Sequence, residues 1–167
     1  MNDTRDAELN AIGVLKRREI EARMVAPLID ALGREFGRER VLQIVRETIV
    51  GIAKDQGRQL VQIMGGNSLE HFAAALPDWT KEDALETEVE AQSENELRFI
   101  VTRCRYAEMY DALGLGELGA ILSCERDGAL MKGFNSDVDL DRPQTILGGA
   151  SHCIFHYARR HDVPSRD

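Results

Sequence analysis

After Trp79 the spacing of apolar residues in this chain changes, and that change limits what it can fold into. Before it, Ile12, Leu15, Ile20, Met24, Val25, Leu28, Ile29 and Leu32 recur at steps of three and four among Arg, Lys and Glu. That is the period of a helix with one buried face. Pro27 lies inside the pattern, where it would kink or divide the helix, and Gly33 and Gly37 mark its end. A second helix is expected from about Glu39 to Met64, with Gly51 and Gly57 each weakening it by roughly 1 kcal/mol relative to Ala. "GGNS" (65–68) reads as a turn whose Ser68 caps a short third helix ending before Pro77.

Beyond Trp79, "LETEVEAQSENELRFIVTRC" (85–104) alternates apolar and polar residues on either side of "SEN", the pattern of a β-hairpin. Leu85, Thr87, Val89 and Ala91 would share one face of its first strand. Leu97, Phe99, Val101 and Arg103 would share one face of the second, leaving Ile100, Thr102 and Cys104 on the other. Helical spacing returns over 106–124, broken near Gly114 and Gly116. Two more strands are expected at about 128–134 and 150–159, joined by the turn-rich "NSDVDLDRPQT" (135–145). The expected class is α+β: N-terminal helices, then an antiparallel sheet with a helical insertion. At 167 residues the chain suits one domain, helical over about 5–76 and sheet-containing over about 84–160.

The formal net charge of −8 argues against nucleic acid as a partner, because a phosphate backbone calls for a basic face. "ARRH" (158–161) reads as a solvated tail. No apolar run reaches the ~18 residues of a membrane span, and the polar opening "MNDTRDAELN" has no secretory-signal pattern. Three cysteines without paired spacing fit a reduced, cytoplasmic protein better than a disulfide framework. The expected partner is a small molecule, and the N-terminal apolar stripe is compatible with a homo-oligomer.

All three cysteines, Cys104, Cys124 and Cys153, lie in the second half, each at an element end or within a short strand. A thiolate attacking an electrophilic carbon needs a proton acceptor nearby. Along one strand, Cys153 and His156 point to opposite faces, and so do Cys153 and His152, so no local Cys-His pair forms. Asp127 in "CERD" is then the best base. Against this stands Cys153 as an ordinary buried side chain, since free Cys is among the most buried residue types. Zinc would accept three thiols and one further ligand, but the wide spacing matches no compact metal module; the cofactor stays open, either none or a single zinc-like divalent metal. Asp139 and Asp141 alternate along an extended segment, a pattern usual for a solvated edge. Arg142 is a candidate carboxylate clamp. Thr145, with Gly148 and Gly149 in "QTILGG", offers a hydroxyl and backbone N–H groups to an anion, or only a turn. His156 remains a candidate substrate contact; His71 and His161 read as ordinary polar residues.

"RCRYAEMYDALGLGELGAILSCERD" followed by "RPQTILGGASHCIFHY" resembles the bacterial L-2-amino-thiazoline-4-carboxylic acid hydrolases, as does the opening "LKRREIEARMVAPLIDALGREFG". The resemblance covers roughly residues 10 to 160. It implies hydrolytic opening of a cyclic amidine, the thiazoline ring, to N-carbamoyl-L-cysteine. The positions matching the family's motifs are Cys104, Cys124, Asp127, Thr145 and Cys153. The implied roles are Cys153 as nucleophile or metal ligand, Asp127 as proton shuttle, Cys104 and Cys124 as ligands or pocket wall, and Arg142 as carboxylate partner. The family often carries a polar residue after its last cysteine, where this chain has Ile154. A binding or sensor domain of the same fold, without catalysis, is the alternative.

Overall fold

The computed structural model describes residues 12–160; the expected helical start at 5–11 and His161 lie outside them. Helix α1 (Val14–Phe36) runs through Pro27 without dividing. Gly37, at φ 88°, turns the chain into α2 (Arg38–Met64). The apolar stripe of α1 splits: Leu15, Ala22, Ala26 and Ile29 are buried, while Ile20, Met24, Leu28, Leu32 and Phe36 stay exposed. Ser68 caps α3 (Leu69–Ala75), as its position predicts, and α4 (Pro77–Thr80) follows. No helix among the described residues is long and apolar enough to cross a membrane.

The hairpin forms as β1 (Leu85–Gln92) and β2 (Glu96–Cys104). Helices α5 (Arg105–Ala112) and α6 (Gly116–Gly119) break where the glycines predict. A π-helical turn (Ala120–Cys124) leads directly into α7 (Glu125–Phe134). Strands β3 (Val138–Asp141) and β4 (Cys153–Arg159) complete an antiparallel sheet in the order β1-β2-β4-β3. The architecture is α+β, with N-terminal helices and a helical insertion between sheet strands.

Three expectations fail locally. The stretch 128–134 is the end of α7, not a strand, because it packs backbone to backbone on α2: a Cβ on Gly133 would lie 2.0 Å from the Lys54 carbonyl oxygen, and one on Gly57 2.1 Å from that of Leu130. The missing strand is β3, inside the segment read as a turn-rich connection; Asp139 and Asp141 do alternate along it. The hairpin's faces are also interrupted by two one-residue bulges, at Glu90 on β1 and Thr102 on β2. The first puts Ala91 opposite the outward Arg98; the second returns Cys104 to the inner face, beside Val101 and opposite Leu85.

Two apolar clusters result. One joins α1, the first part of α2 and the α5–α6 region around Tyr110, Ile121 and Leu122. The other joins α3, α7 and the sheet around Phe72, Leu97, Phe99, Met131, Phe134 and Tyr157. Cys104 and Leu85 pack against both, so the bulged end of β2 lies at their junction.

Because backbone meets backbone at the α2–α7 crossing, Gly57→Ala and Gly133→Ala should each lose about 1–3 kcal/mol or more, the scale of an overpacked core. Gly51→Ala, with nothing within 4 Å of the new methyl, should instead gain roughly 0.5–1 kcal/mol through helix propensity. Thermal denaturation of the three variants side by side checks the contrast.

Candidate functional site

Four separate elements deliver polar side chains to the junction of the two clusters. The Thr102 bulge delivers Cys104, which also caps α5: its Sγ accepts from the Ala107 amide at 3.5 Å. Cys153 opens β4 opposite Val101, and its Sγ accepts from the Ile146 amide at 3.2 Å. Cys124 closes the π-helical turn, and Asp127 follows three residues later, on the same side of the helix. Arg142, just after β3, donates to the Asp127 carboxylate through Nη1 and to the Cys124 carbonyl through Nη2 at 2.8 Å. Its guanidinium lies 5.4 Å from the centre of the Phe155 ring.

These groups feel one another. Burial pushes the Cys104 thiol up to about 11, and the charges of Cys153 and Asp127 add to the rise. Burial, then the Asp127 charge, takes Cys124 to about 12. Cys153 is also raised by burial, against the pull of the Ile146 N–H. All three are therefore protonated thiols at neutral pH. Burial likewise lifts Asp127 to about 6, opposed by Arg142. The carboxyl is half-buried, with 32% of its side chain exposed.

An open groove of about 510 Å³ approaches from outside. Lys54, Cys124, Lys132, Asp139, Leu140 and Arg142 are among its walls, so Arg142 both lines the groove and grips Asp127 behind it. A recess of about 80 Å³ near Ile29, Arg38 and Leu118 shares no residue with this arrangement.

The remaining candidates are placed elsewhere or differently. His156 points away from Cys153, as alternation predicts, and its Nε2 lies 3.0 Å from Glu96. His152 precedes β4, its Nδ1 2.9 Å from the Ser151 hydroxyl. His71 lies 2.6 Å from the Ser68 hydroxyl at the cap of α3. Thr145 caps a 3₁₀ turn (Ile146–Gly148): its Oγ1 accepts from the Gly148 amide at 3.0 Å, and the amides of Gly149 and Ala150 are also spent inside the turn. Asp139 pairs with Lys132 and Arg160. Among the described residues no three His, Cys, Asp or Glu side chains stand together closely enough to hold a metal ion.

Sequence reasoning missed the site's two buried tyrosines and a second charged layer. The Tyr106 hydroxyl donates to the Trp79 carbonyl at 3.1 Å, and burial raises Tyr106 and Tyr157 above the ordinary phenol range. Their signal was present: Tyr106 follows Cys104 in "CRY", and Tyr157 shares a face with Cys153. Arg126, inside "CERD", is 6% exposed and donates to the Leu122 carbonyl at 2.7 Å and to Gln56 at 3.2 Å. Its Nη2 stands 3.6 Å from Glu21, whose carboxylate also accepts from Arg18 at 2.7 and 2.8 Å.

The profile of the L-2-amino-thiazoline-4-carboxylic acid hydrolase family matches residues 17–157. No curated protein matches the sequence significantly. Solved structures similar in fold include two of unrelated roles. The phenol-responsive sensory domain of the transcription activator PoxR, with phenol, superposes at a TM-score of 0.52 and 9% identity, over 81% of this chain and 73% of its own. Trafficking protein particle complex subunit 3 from Naegleria fowleri, covalently bound to palmitic acid, gives 0.52 and 8%, over 87% and 96%. At these identities the likeness is one of fold.

A carboxyl that titrates near 6 when folded and near 3.8 ordinarily favours the fold below pH 4, and that contribution is lost as pH rises through 6. Asp127→Asn should therefore gain stability relative to wild type between pH 4 and 6, read as a changing difference in melting temperature. Removing the Asp127 charge should also lower the raised thiols and speed their alkylation at pH 9, followed by intact mass.

Proposed function

The chain belongs to the L-2-amino-thiazoline-4-carboxylic acid hydrolase family, and from that membership we propose that it is a hydrolase opening a small cyclic amidine ring. For a 2-amino-thiazoline-4-carboxylate, water adds to the amidine carbon and the bond from that carbon to the ring sulfur breaks. The product, N-carbamoyl-L-cysteine, keeps both nitrogens and gains a thiol. The chemistry needs a base for the water and a proton for the departing sulfur.

The observation that carries this reading is Asp127: a half-buried carboxyl raised to about 6, gripped by Arg142, and acting through its charge on three thiols that stay protonated. Ionised at neutral pH and still basic enough to accept a proton, it is the group suited to activate water. Arg142 holds the carboxylate in place through Nη1. Cys153, fixed by the Ile146 amide and within the electrostatic reach of Asp127, gives its S–H proton to the leaving sulfur and recovers one from Asp127. The second proton of the water passes from oxygen to the ring nitrogen as the carbonyl forms, so protons balance with no group left changed. This assignment makes Cys153 a proton donor rather than a resting thiolate, because burial holds its thiol up. Cys104 and Cys124 form neutral walls. Tyr157 is buried on the same strand face as Cys153.

A second reading, ligand binding without turnover, draws support from the likeness in fold to the phenol-responsive sensory domain. Turnover separates the two. Purified protein with L-2-amino-thiazoline-4-carboxylate should yield N-carbamoyl-L-cysteine by mass spectrometry. A binding module would return the ligand unchanged after stoichiometric uptake.

Asp127→Asn should lower kcat by about 10²–10⁴-fold, the range of a lost general base. For wild type, kcat/KM should rise with pH through about 6 as Asp127 ionises. Full turnover by Cys153→Ala would remove that thiol from the mechanism.

A further inference from the structure

The proposed substrate carries a carboxylate, and Arg142, the expected clamp, is already engaged. Its Nη1 serves Asp127, its Nη2 serves the Cys124 carbonyl, and its guanidinium lies near the Phe155 ring. Arg126 is equally committed, to Leu122, Gln56 and Glu21, with 7% of its side chain exposed. Arg18 differs. Its side chain is 11% exposed, and both of its hydrogen bonds, to the two oxygens of Glu21, leave from Nη1. Nε and Nη2 have no acceptor among the described residues and are not fully buried, so that edge of the guanidinium stays open to a ligand.

The charge balance points the same way. Among the described residues of this inner layer, Arg18, Arg126 and Arg142 face the carboxylates of Glu21 and Asp127. These three guanidiniums outnumber the two carboxylates, a balance that favours a bound anion. Arg18 also reaches the pocket side: it acts on Asp127 and on Tyr106, whose own neighbour is Cys104. We propose that Arg18, on α1, is the residue that binds the substrate carboxylate, through the Nε and Nη2 edge that Glu21 leaves free. The ligand class is a small monocarboxylate whose reacting carbon lies on the Asp127 side. The proposal rests on the hydrolase reading for the identity of that ligand, but not for the existence of the anion site.

Lys54 in the outer groove is the competing cation, and the test includes it. Wild type, Arg18→Gln, Arg18→Lys and Lys54→Gln are compared on L-2-amino-thiazoline-4-carboxylate and on its 4-carboxamide. Steady-state rates are measured together with calorimetric binding. Arg18→Gln leaves Glu21 facing Arg126, so no carboxylate is stranded in the fold. The expected result is a rise in KM of about 10- to 100-fold for the acid, the scale of a lost charge-assisted hydrogen bond, with kcat nearly kept. The carboxamide should be unaffected and Arg18→Lys intermediate. Equal loss for acid and carboxamide, or acid selectivity that follows Lys54 instead, overturns the proposal while leaving the hydrolase reading intact. If wild type turns over neither compound, the hydrolase reading fails and calorimetry decides: preference for the acid that Arg18→Gln abolishes upholds the anion site, and its absence or independence of Arg18 overturns it.

Discussion

The arrangement around the candidate site depends on the contact between α2 and α7, where Gly57 and Gly133 let one backbone lie on the other. No side chain separates the helices at these two points, so the position of α7 is set by main-chain geometry rather than by adaptable packing. Everything chemical follows from that position. Cys124 and Asp127 sit at the N-terminal end of the same helix, and at its other end Lys132 holds β3 through the Val138 carbonyl at 2.9 Å. Arg142 leaves β3 already aimed back at Asp127.

Within that frame the electrostatics are those of a partly dry junction between two apolar clusters. Burial raises the carboxyl and the three thiols alike, since in each case the ionised form is the one that loses solvation. The guanidiniums resist this for Asp127 and leave it the acid that ionises first. A site of this kind keeps its sulfur neutral and concentrates its negative charge on one oxygen pair. Arg126 shows the reciprocal effect: burial, then Arg18, lowers it to about 10.

Much of this was legible in the sequence. Helical spacing located both long helices, alternation located the hairpin and β4, and the same alternation separated Cys153 from His156. What escaped was whatever depends on a single extra residue or on a distant partner. Thr102 is one residue that alternation cannot discount, so Cys104 was assigned to the wrong face. The helical role of 128–134 is hidden unless the Lys54 carbonyl facing Gly133 is known. Val138–Asp141 is short and rich in Asp, and pairing with β4 makes it a strand despite that composition. Cys104, Cys124, Asp127, Arg142 and Cys153 were all named as candidates and do converge. Arg18 was hidden because "KRRE" at 16–19 reads as the solvated side of a helix, and only its pairing with Glu21, which also meets Arg126, turns it inward.

The bulge at Thr102 and the π-helical turn at Ala120–Cys124 are the same device in two kinds of secondary structure: one residue too many, accommodated locally. Each makes the regular hydrogen-bonding pattern worse and delivers a thiol in return. Were Thr102 taken into the regular register instead of bulging, Cys104 would swing outward and Arg103 would face the junction of the two clusters. The irregularities thus act as spacers in the reading frame of the sheet and the helix, and the inventory of the pocket is encoded by where they fall as much as by which side chains the gene supplies.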